Sequence, residues 1–178
     1  MAKAVGSLYA DYLKSKSKSL WGYVRGVVYT NNLGFYKIIP CENKTNENTG
    51  RSLRHFIEVF DLTYSLHSDN NRNFKDGLFK RLIDKFGIFQ TFTEPHSPWK
   101  NGVEPAIGEI KIHAWKIMQD FNKLVRLCFF NYEYLANLFS LLANVRFELQ
   151  GKTPFESVMY YTPDILECVL FEWFKLCW

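Results

Sequence analysis

The most informative stretch of this sequence is TEPHSPWKNGVEPAIGEIK, residues 93–111. Its first half is rich in proline and polar residues, which is typical of a loop, and apolar residues recur at helical spacing in its second half. That spacing predicts a long helix that ends near residue 122. Its apolar face carries Ile107, Ile110, Ala114, Ile117 and Phe121. Glu104 therefore stands at the start of a helix, directly after a loop.

The pattern on either side of this stretch predicts alternating strands and helices. Strands are expected at residues 5–12, 21–30, 35–39, 62–66 and 88–93, with a hairpin signal at Asn31, Asn32 and Gly34. Helices are expected at 52–60, 74–86 and 130–147, a short one opens at Thr153, and 43–50 reads as a polar loop. Three consecutive strands followed by strands separated by helices predict an α/β fold. Its mixed five-stranded sheet would have three antiparallel strands, then two parallel ones, and helices on both faces.

Composition limits the classes of protein to be considered. The 178 residues fit one domain, and a hydrophobic fraction of 47% is sufficient for a core and excludes a disordered tail. The net charge of +4 permits a polyanionic partner without requiring one. The four cysteines form no CxxC pair, which argues against a zinc site and for a reducing compartment. With neither a signal peptide nor a membrane span in the pattern, we expect an intracellular protein, nuclear and cytoplasmic.

Three acidic residues follow predicted strands. Asp11 lies at the end of the first strand, Asp69 directly follows the fourth, and Glu104 opens the helix after the fifth. If the first and fourth strands are neighbours, Asp11 and Asp69 face each other at one edge of the sheet. Gathered carboxylates repel one another unless a cation compensates them, and a pair of Mg²⁺ ions would orient a phosphodiester for in-line attack. The alternative is three unrelated surface acids, because the chain has 18 acidic residues.

Several motifs resemble copia-type retrotransposon integrases. Residues 93–111 resemble that family's catalytic-helix region, which has the form T-E-P-Y-S-P-W-Q-N-x-A-E-x-x-I-R-E-L-K. LHSDN at 66–70 is similar to its S-D-N signature, and ELQGKTP at 148–154, TPDI at 162–165 and FEW at 171–173 resemble the end of the same core. The likeness is collinear from about residue 10 to residue 178 and implies a ribonuclease H-like fold.

The resemblance also implies a function and a set of site residues. It implies an integrase catalytic core that processes and joins retroelement DNA ends, with Mg²⁺ or Mn²⁺ held by Asp11, Asp69 and Glu104. Lys111 matches a basic position that contacts the DNA end. The implied partners are DNA and further copies of the same chain, with no membrane association.

Three residues of the loop before Glu104 are further candidates for DNA contact: His96, Lys100 and Asn101. Asn101 is equally explained as the cap of the following helix, and His96 as a solvated loop residue.

Departures from the family pattern leave two other functions open. Gly108 stands where relatives usually carry Arg, and Pro105 directly follows Glu104. A catalytically inactive nucleic-acid-binding or dimerisation remnant of a retroelement integrase is therefore one alternative. A ribonuclease H-like nuclease without joining activity is the other.

The domain boundaries follow from the same resemblance. We expect the core at 1–160 and the start of a truncated following domain at 161–178. The chain has no counterpart of the zinc-binding His/His/Cys/Cys module that normally precedes this core. It is therefore expected to be a piece of a polyprotein or a truncated gene product.

Overall fold

A computed structural model describes residues 6–15, 18, 22–94, 101–120 and 152–162, without the side chains of 113, 114 and 117–120. The strands are β1 Ser7–Lys14, β2 Arg25–Asn31, β3 Tyr36–Cys41, β4 Ser65–Ser68 and β5 Phe89–Phe92. The helices are α1 Asn46–Phe60, α2 Arg72–Lys75, α3 Gly77–Phe86, α4 Val103–Asp120 and α5 Pro154–Met159. The predicted helix at 130–147 and residues 163–178 lie outside the described residues.

The five strands form one mixed sheet in the order β3-β2-β1-β4-β5. β1, β2 and β3 pair antiparallel, whereas β4 pairs parallel with both β1 and β5. The predicted arrangement of three antiparallel strands followed by two parallel ones is confirmed. The condition set for Asp11 and Asp69 to face each other is met, because β1 and β4 are neighbours. The predicted hairpin is also present, since Asn31 Oδ1 accepts hydrogen bonds from the amides of Leu33 and Phe35, both at 3.0 Å.

Helices cover both faces of this sheet. On one face α1, α2, α3 and α5 bury a core that includes Leu8, Ala10, Phe56, Phe74 and Val158. Strand side chains alternate between faces, so Tyr9, Asp11 and Leu13 point to the opposite face. α4 contacts β1 and β2 there and buries Val103, Ala106, Ile107 and Ile110.

Two helices differ from their predicted bounds. α1 begins at Asn46, six residues before the predicted start, because Thr45 caps it and Arg51 pairs with Glu47 at 2.6 Å within the polar stretch interpreted as a loop. The helix predicted at 74–86 is two helices, α2 and α3. The break lies at Asp76, which is extended, and at Gly77, which begins α3 with φ +71°, a left-handed conformation that the interior of an α-helix does not adopt.

α1 and α3 approach each other closely at Gly50. A Cβ at Gly50 would lie 2.5 Å from Leu78 Cβ and 2.8 Å from the amide nitrogen of Phe79, distances that real Cβ atoms do not adopt. Gly108, in the middle of α4, is the opposite case, because a Cβ there would meet nothing within 4 Å. The same change from glycine to alanine is therefore sterically blocked at Gly50 and unhindered at Gly108.

Replacing these glycines with alanine should change stability in opposite directions. Gly50→Ala must push α1 and α3 apart, and we expect it to lower the free energy of unfolding by about 1–3 kcal/mol. Gly108→Ala should raise it by up to about 1 kcal/mol, because alanine loses less backbone entropy in a helix. Urea denaturation measures both changes. A stabilised Gly50→Ala variant would contradict the close packing of α1 against α3.

Candidate active site

Asp11 and Asp69 lie where the parallel pairing of β1 with β4 ends. The expectation that Asp11 ends the first strand is wrong, because β1 continues to Lys14 and Asp11 itself pairs with Val28 of β2. The last described pair in that parallel ladder is Ala10 with Ser68, and Asp11 and Asp69 are the residues that follow. One step before, Tyr9 pairs with His67, and their rings meet edge-on with centroids 5.7 Å apart on the α4 face. Because side chains repeat every second residue, Asp11 and Asp69 come next on that same face.

The start of α4, which carries Glu104, lies against β1. Gly102, two residues before Glu104, lies against the ring of Tyr9, where an added Cβ would be 3.2 Å from Tyr9 Cγ. Asn101 is 2% exposed, its Oδ1 accepts from the amide of Val103 at 3.3 Å, and its carbonyl accepts from the amide of Glu104 at 3.1 Å. Asn101 thus holds the first turn of α4, and Glu104 projects from that turn.

The charges of the other two acids act on Asp11. The pKa of Asp11 is raised to about 6, chiefly by burial and to a smaller extent by the negative charges of Asp69 and Glu104. The amide of Tyr12, which donates to Asp11 Oδ1 at 2.6 Å, and the ammonium of Lys44 act in the opposite direction. Asp11 is therefore a half-buried acid whose charge is disfavoured by its surroundings.

The carboxylate oxygens of the three acids are of the kind that binds a hard divalent cation, but the three side chains do not converge on one point. Carboxylate oxygens are the ligands that Mg²⁺ prefers, and a cation would compensate the repulsion that raises the pKa of Asp11. Within the described ranges, however, no three His, Cys, Asp or Glu side chains lie close enough to hold one ion jointly. The raised pKa of Asp11 and the absence of a group of three ligands are compatible, because charges act on one another well beyond the ligand distance of about 2 Å.

Lys44 is a residue of this site that the sequence analysis did not identify. Its Nζ lies 4.4 Å from the centroid of the Tyr12 ring, next to Asp11. Asn73 Nδ2 donates to its carbonyl at 3.1 Å, which fixes the segment between β3 and α1. No motif marks this lysine in the polar run at 43–50, and only the tertiary structure brings it beside Asp11.

His67 stabilises the strand β4, which ends directly before Asp69. Its ring nitrogens lie 2.9 Å from Thr91 Oγ1 and 3.1 Å from Thr93 Oγ1 on the neighbouring strand side, and burial lowers its pKa. The amide of Thr93 also donates to the carbonyl of Ser68 at 2.9 Å. These contacts fix the end of β4 immediately before Asp69.

The candidates for DNA contact occupy different environments. Lys111 is exposed on α4, two helical turns beyond Glu104. The position of Asn101 is that of a buried helix-capping residue, and contact between its side chain and DNA stays a prediction. His96 and Lys100 lie outside the described residues.

The raised pKa of Asp11 predicts a specific pH dependence of stability without divalent cations. The folded state favours the protonated carboxyl, so its contribution is fully present below the ordinary pKa of 3.8 and is lost as the pH rises through about 6. Asp11→Asn removes this loss. In EDTA we expect the variant to melt at a higher temperature than the wild type at pH 7.5 and at nearly the same temperature at pH 4.

The control for this measurement is Asp84→Asn, which changes an exposed aspartate that pairs with Lys80 on α3. It should bring no stabilisation at pH 7.5. Equal melting temperatures of Asp11→Asn and the wild type at pH 7.5 would contradict the raised pKa of the half-buried Asp11 carboxyl.

Solved structures of viral integrases share this fold, whereas no family model and no curated protein match the sequence. A chain of the simian T-cell lymphotropic virus intasome in complex with PP2A regulatory subunit B56 gamma aligns with 88% of this chain at 19% identity and a TM-score of 0.69. This chain spans 55% of that protein's length.

Two isolated catalytic cores align along nearly their whole length. The BIV integrase core has 18% identity and a TM-score of 0.61 over 86% of this chain and 93% of its own. The HTLV-2 integrase core in complex with magnesium, in a dimeric form, has 18% identity and a TM-score of 0.63 over 87% of this chain and 95% of its own. The chain therefore has the ribonuclease H-like fold of integrase catalytic cores. None of its described helices combines the length and apolarity that a membrane crossing requires.

Proposed function

We propose that this chain is the catalytic core of a copia-type retrotransposon integrase, which processes DNA ends and joins them to a second DNA. In this proposal Asp11, Asp69 and Glu104 hold Mg²⁺ or Mn²⁺ at the shared edge of β1, β4 and α4. The intracellular setting of such a reaction is the cytoplasm and the nucleus. The fold supplies the framework, and the sequence motifs around the three acids supply the assignment to this class of retroelement.

One observation carries the proposal. The charges of Asp69 and Glu104, 58 and 93 positions further along the chain, both raise the pKa of Asp11. The geometry supports the same grouping, because the register of β1 and β4 places Asp11 and Asp69 directly after a paired position and Gly102 lets the start of α4 lie against Tyr9 of β1. Burying like charges together costs stability, and a fold keeps such an arrangement where a cation or a reaction needs it.

Divalent cations bound at these acids would neutralise the charge that develops on a phosphodiester and stabilise the attacking and leaving oxygens. The residues of the chain have complementary roles. Asp11 sits on a central strand and is half-buried, whereas Glu104 is exposed in the first turn of α4. Lys111, on the same helix, extends into solvent where it would meet the phosphates of the DNA end.

The proposed partners are DNA and further copies of the chain. The HTLV-2 core with this fold is described in complex with magnesium and as a dimer, and the simian virus chain is part of an intasome. These properties belong to those proteins. They support the proposal because this chain has the same fold.

A catalytically inactive remnant that still binds nucleic acid is the second candidate. It is favoured by Gly108, which leaves open space on α4 where the family pattern has Arg, and by the separation of the three acids beyond the distance at which they could share an ion. It predicts salt-sensitive DNA binding with no metal-dependent turnover.

Asp69→Asn tests the two functions against each other. With Mg²⁺ or Mn²⁺ present, we expect the wild type to cleave an end-labelled retroelement DNA and Asp69→Asn to lose about a thousandfold or more of that rate. The reason is that cation stabilisation of the reacting oxygens supplies several kcal/mol. Asp84→Asn, an exposed and ion-paired aspartate on α3, is the matched control and should keep the rate.

The remaining outcomes discriminate the alternatives. Cleavage that survives in Asp69→Asn at the wild-type rate would refute the assignment of the metal ligands. A folded wild type that binds DNA but never cleaves it would establish the inactive remnant. Cleavage without transfer of a strand to a second labelled DNA would identify a nuclease that does not join ends.

A further inference from the structure

A basic pocket lies between α1 and α3, on the face of the sheet opposite α4. Its volume is about 520 Å³, and it is lined by Asn46, Glu47, Arg51, Arg54, Gly77, Leu78 and Arg81. Three arginines stand against one glutamate in this lining. The proposed catalytic residues Asp11, Asp69 and Glu104 are called the catalytic edge below, and none of these arginines belongs to it.

Two of the three arginines are not neutralised by the protein. Arg51 pairs with Glu47 at 2.6 Å, one turn earlier on α1. Arg54 is on α1 and Arg81 is on α3, and both helices also contain acidic residues. In the part of the chain that the structure describes, neither arginine forms an ion pair. The pocket thus presents at least two uncompensated guanidinium groups to solvent, and guanidinium favours phosphate geometrically.

Close packing fixes the width of this pocket. Gly50 lets α1 approach Leu78, and Gly77 lies so close to Asn46 that a Cβ would be 2.8 Å from the Asn46 side chain. Asn46 and Leu78 both line the pocket. The arginines are therefore mounted on two helices whose separation is set by backbone contact, which favours a persistent surface over a chance encounter of flexible side chains.

The pocket adjoins the catalytic edge. Asn46 is the first residue of α1, and Lys44, two residues earlier, acts electrostatically on Asp11. α3 begins at Gly77, eight residues after Asp69. A polyanion that reaches the carboxylates past Lys44 would thus continue over the first turns of α1 and α3 onto the arginines.

We propose that Arg54 and Arg81, with Arg51, bind the phosphate backbone of duplex DNA beyond the segment that enters the catalytic edge. This inference rests on the proposed function for its choice of polyanion. The arginines are exposed, so each contact with a small anion is weak. A polymer contributes several contacts at once and releases condensed counterions, which makes duplex DNA the ligand that this surface suits.

The test compares two variants with the same net charge. Arg54→Gln/Arg81→Gln removes the uncompensated charges of the pocket, and Lys37→Gln/Lys85→Gln removes two charges outside it. Binding of a 40-base-pair duplex is measured in EDTA at several salt concentrations. We expect the arginine variant to lower the slope of log K against log salt by about 2 and to weaken binding roughly ten- to hundredfold near 0.1 M salt. The lysine variant should bind as the wild type does.

The remaining measurements separate this inference from the proposed function. Metal-dependent cleavage of a short duplex that covers only the catalytic edge should be the same in the arginine variant and the wild type. Unchanged long-duplex binding by the arginine variant would overturn the inference and leave the proposed function standing. Loss of inorganic phosphate binding with unchanged duplex binding would overturn it too, in favour of a small-anion site. Arginine-dependent duplex binding in a protein that never cleaves DNA would uphold the inference and refute the catalytic proposal.

Discussion

The parallel pairing of β1 with β4 is the constraint on which the candidate site depends. Ala10 opposite Ser68 sets the register, and the next residue of each strand is an aspartate. Side chains alternate along a strand, so a slip of one residue would turn Asp11 toward the core of α1, α2 and α3 and away from α4. His67 and Thr93 hold the end of β4 against that slip, and Gly102 lets the start of α4 lie on Tyr9.

The two faces of β1 have opposite chemical character: one carries fully buried apolar residues, and the other carries an acid. Leu8 and Ala10 are fully buried on one face of β1, while Asp11 is half-buried on the other and carries a pKa raised to about 6. The fold accommodates the half-buried Asp11, whose charge is disfavoured there, because the surrounding strands and helices are held by extensive apolar packing. Such a local conflict between stability and arrangement is typical of functional sites.

In the two proposals, different residues contact DNA from the two faces of the sheet. The α4 side carries the acids and Lys111, and the opposite side carries the arginines of α1 and α3. Lys44 lies between them, in the segment that connects β3 to α1. A bent or long duplex could therefore contact both sets of charges, and the close approach of α1 to α3 keeps the second set in place.

Local sequence patterns determined much of this protein: five strands, the hairpin at Asn31, the short helix that opens at Thr153, and the positions of Asp69 after β4 and of Glu104 in the first turn of α4. These features depend on side-chain periodicity and on hydrogen bonds between near neighbours. The early start of α1, the break at Gly77, the position of Lys44 beside Asp11 and the arginine pocket were decided by the tertiary structure alone. Each depends on groups distant in sequence, such as Gly50 against Leu78 or Asn73 against Lys44, and no local pattern encodes contacts between segments that only folding brings together.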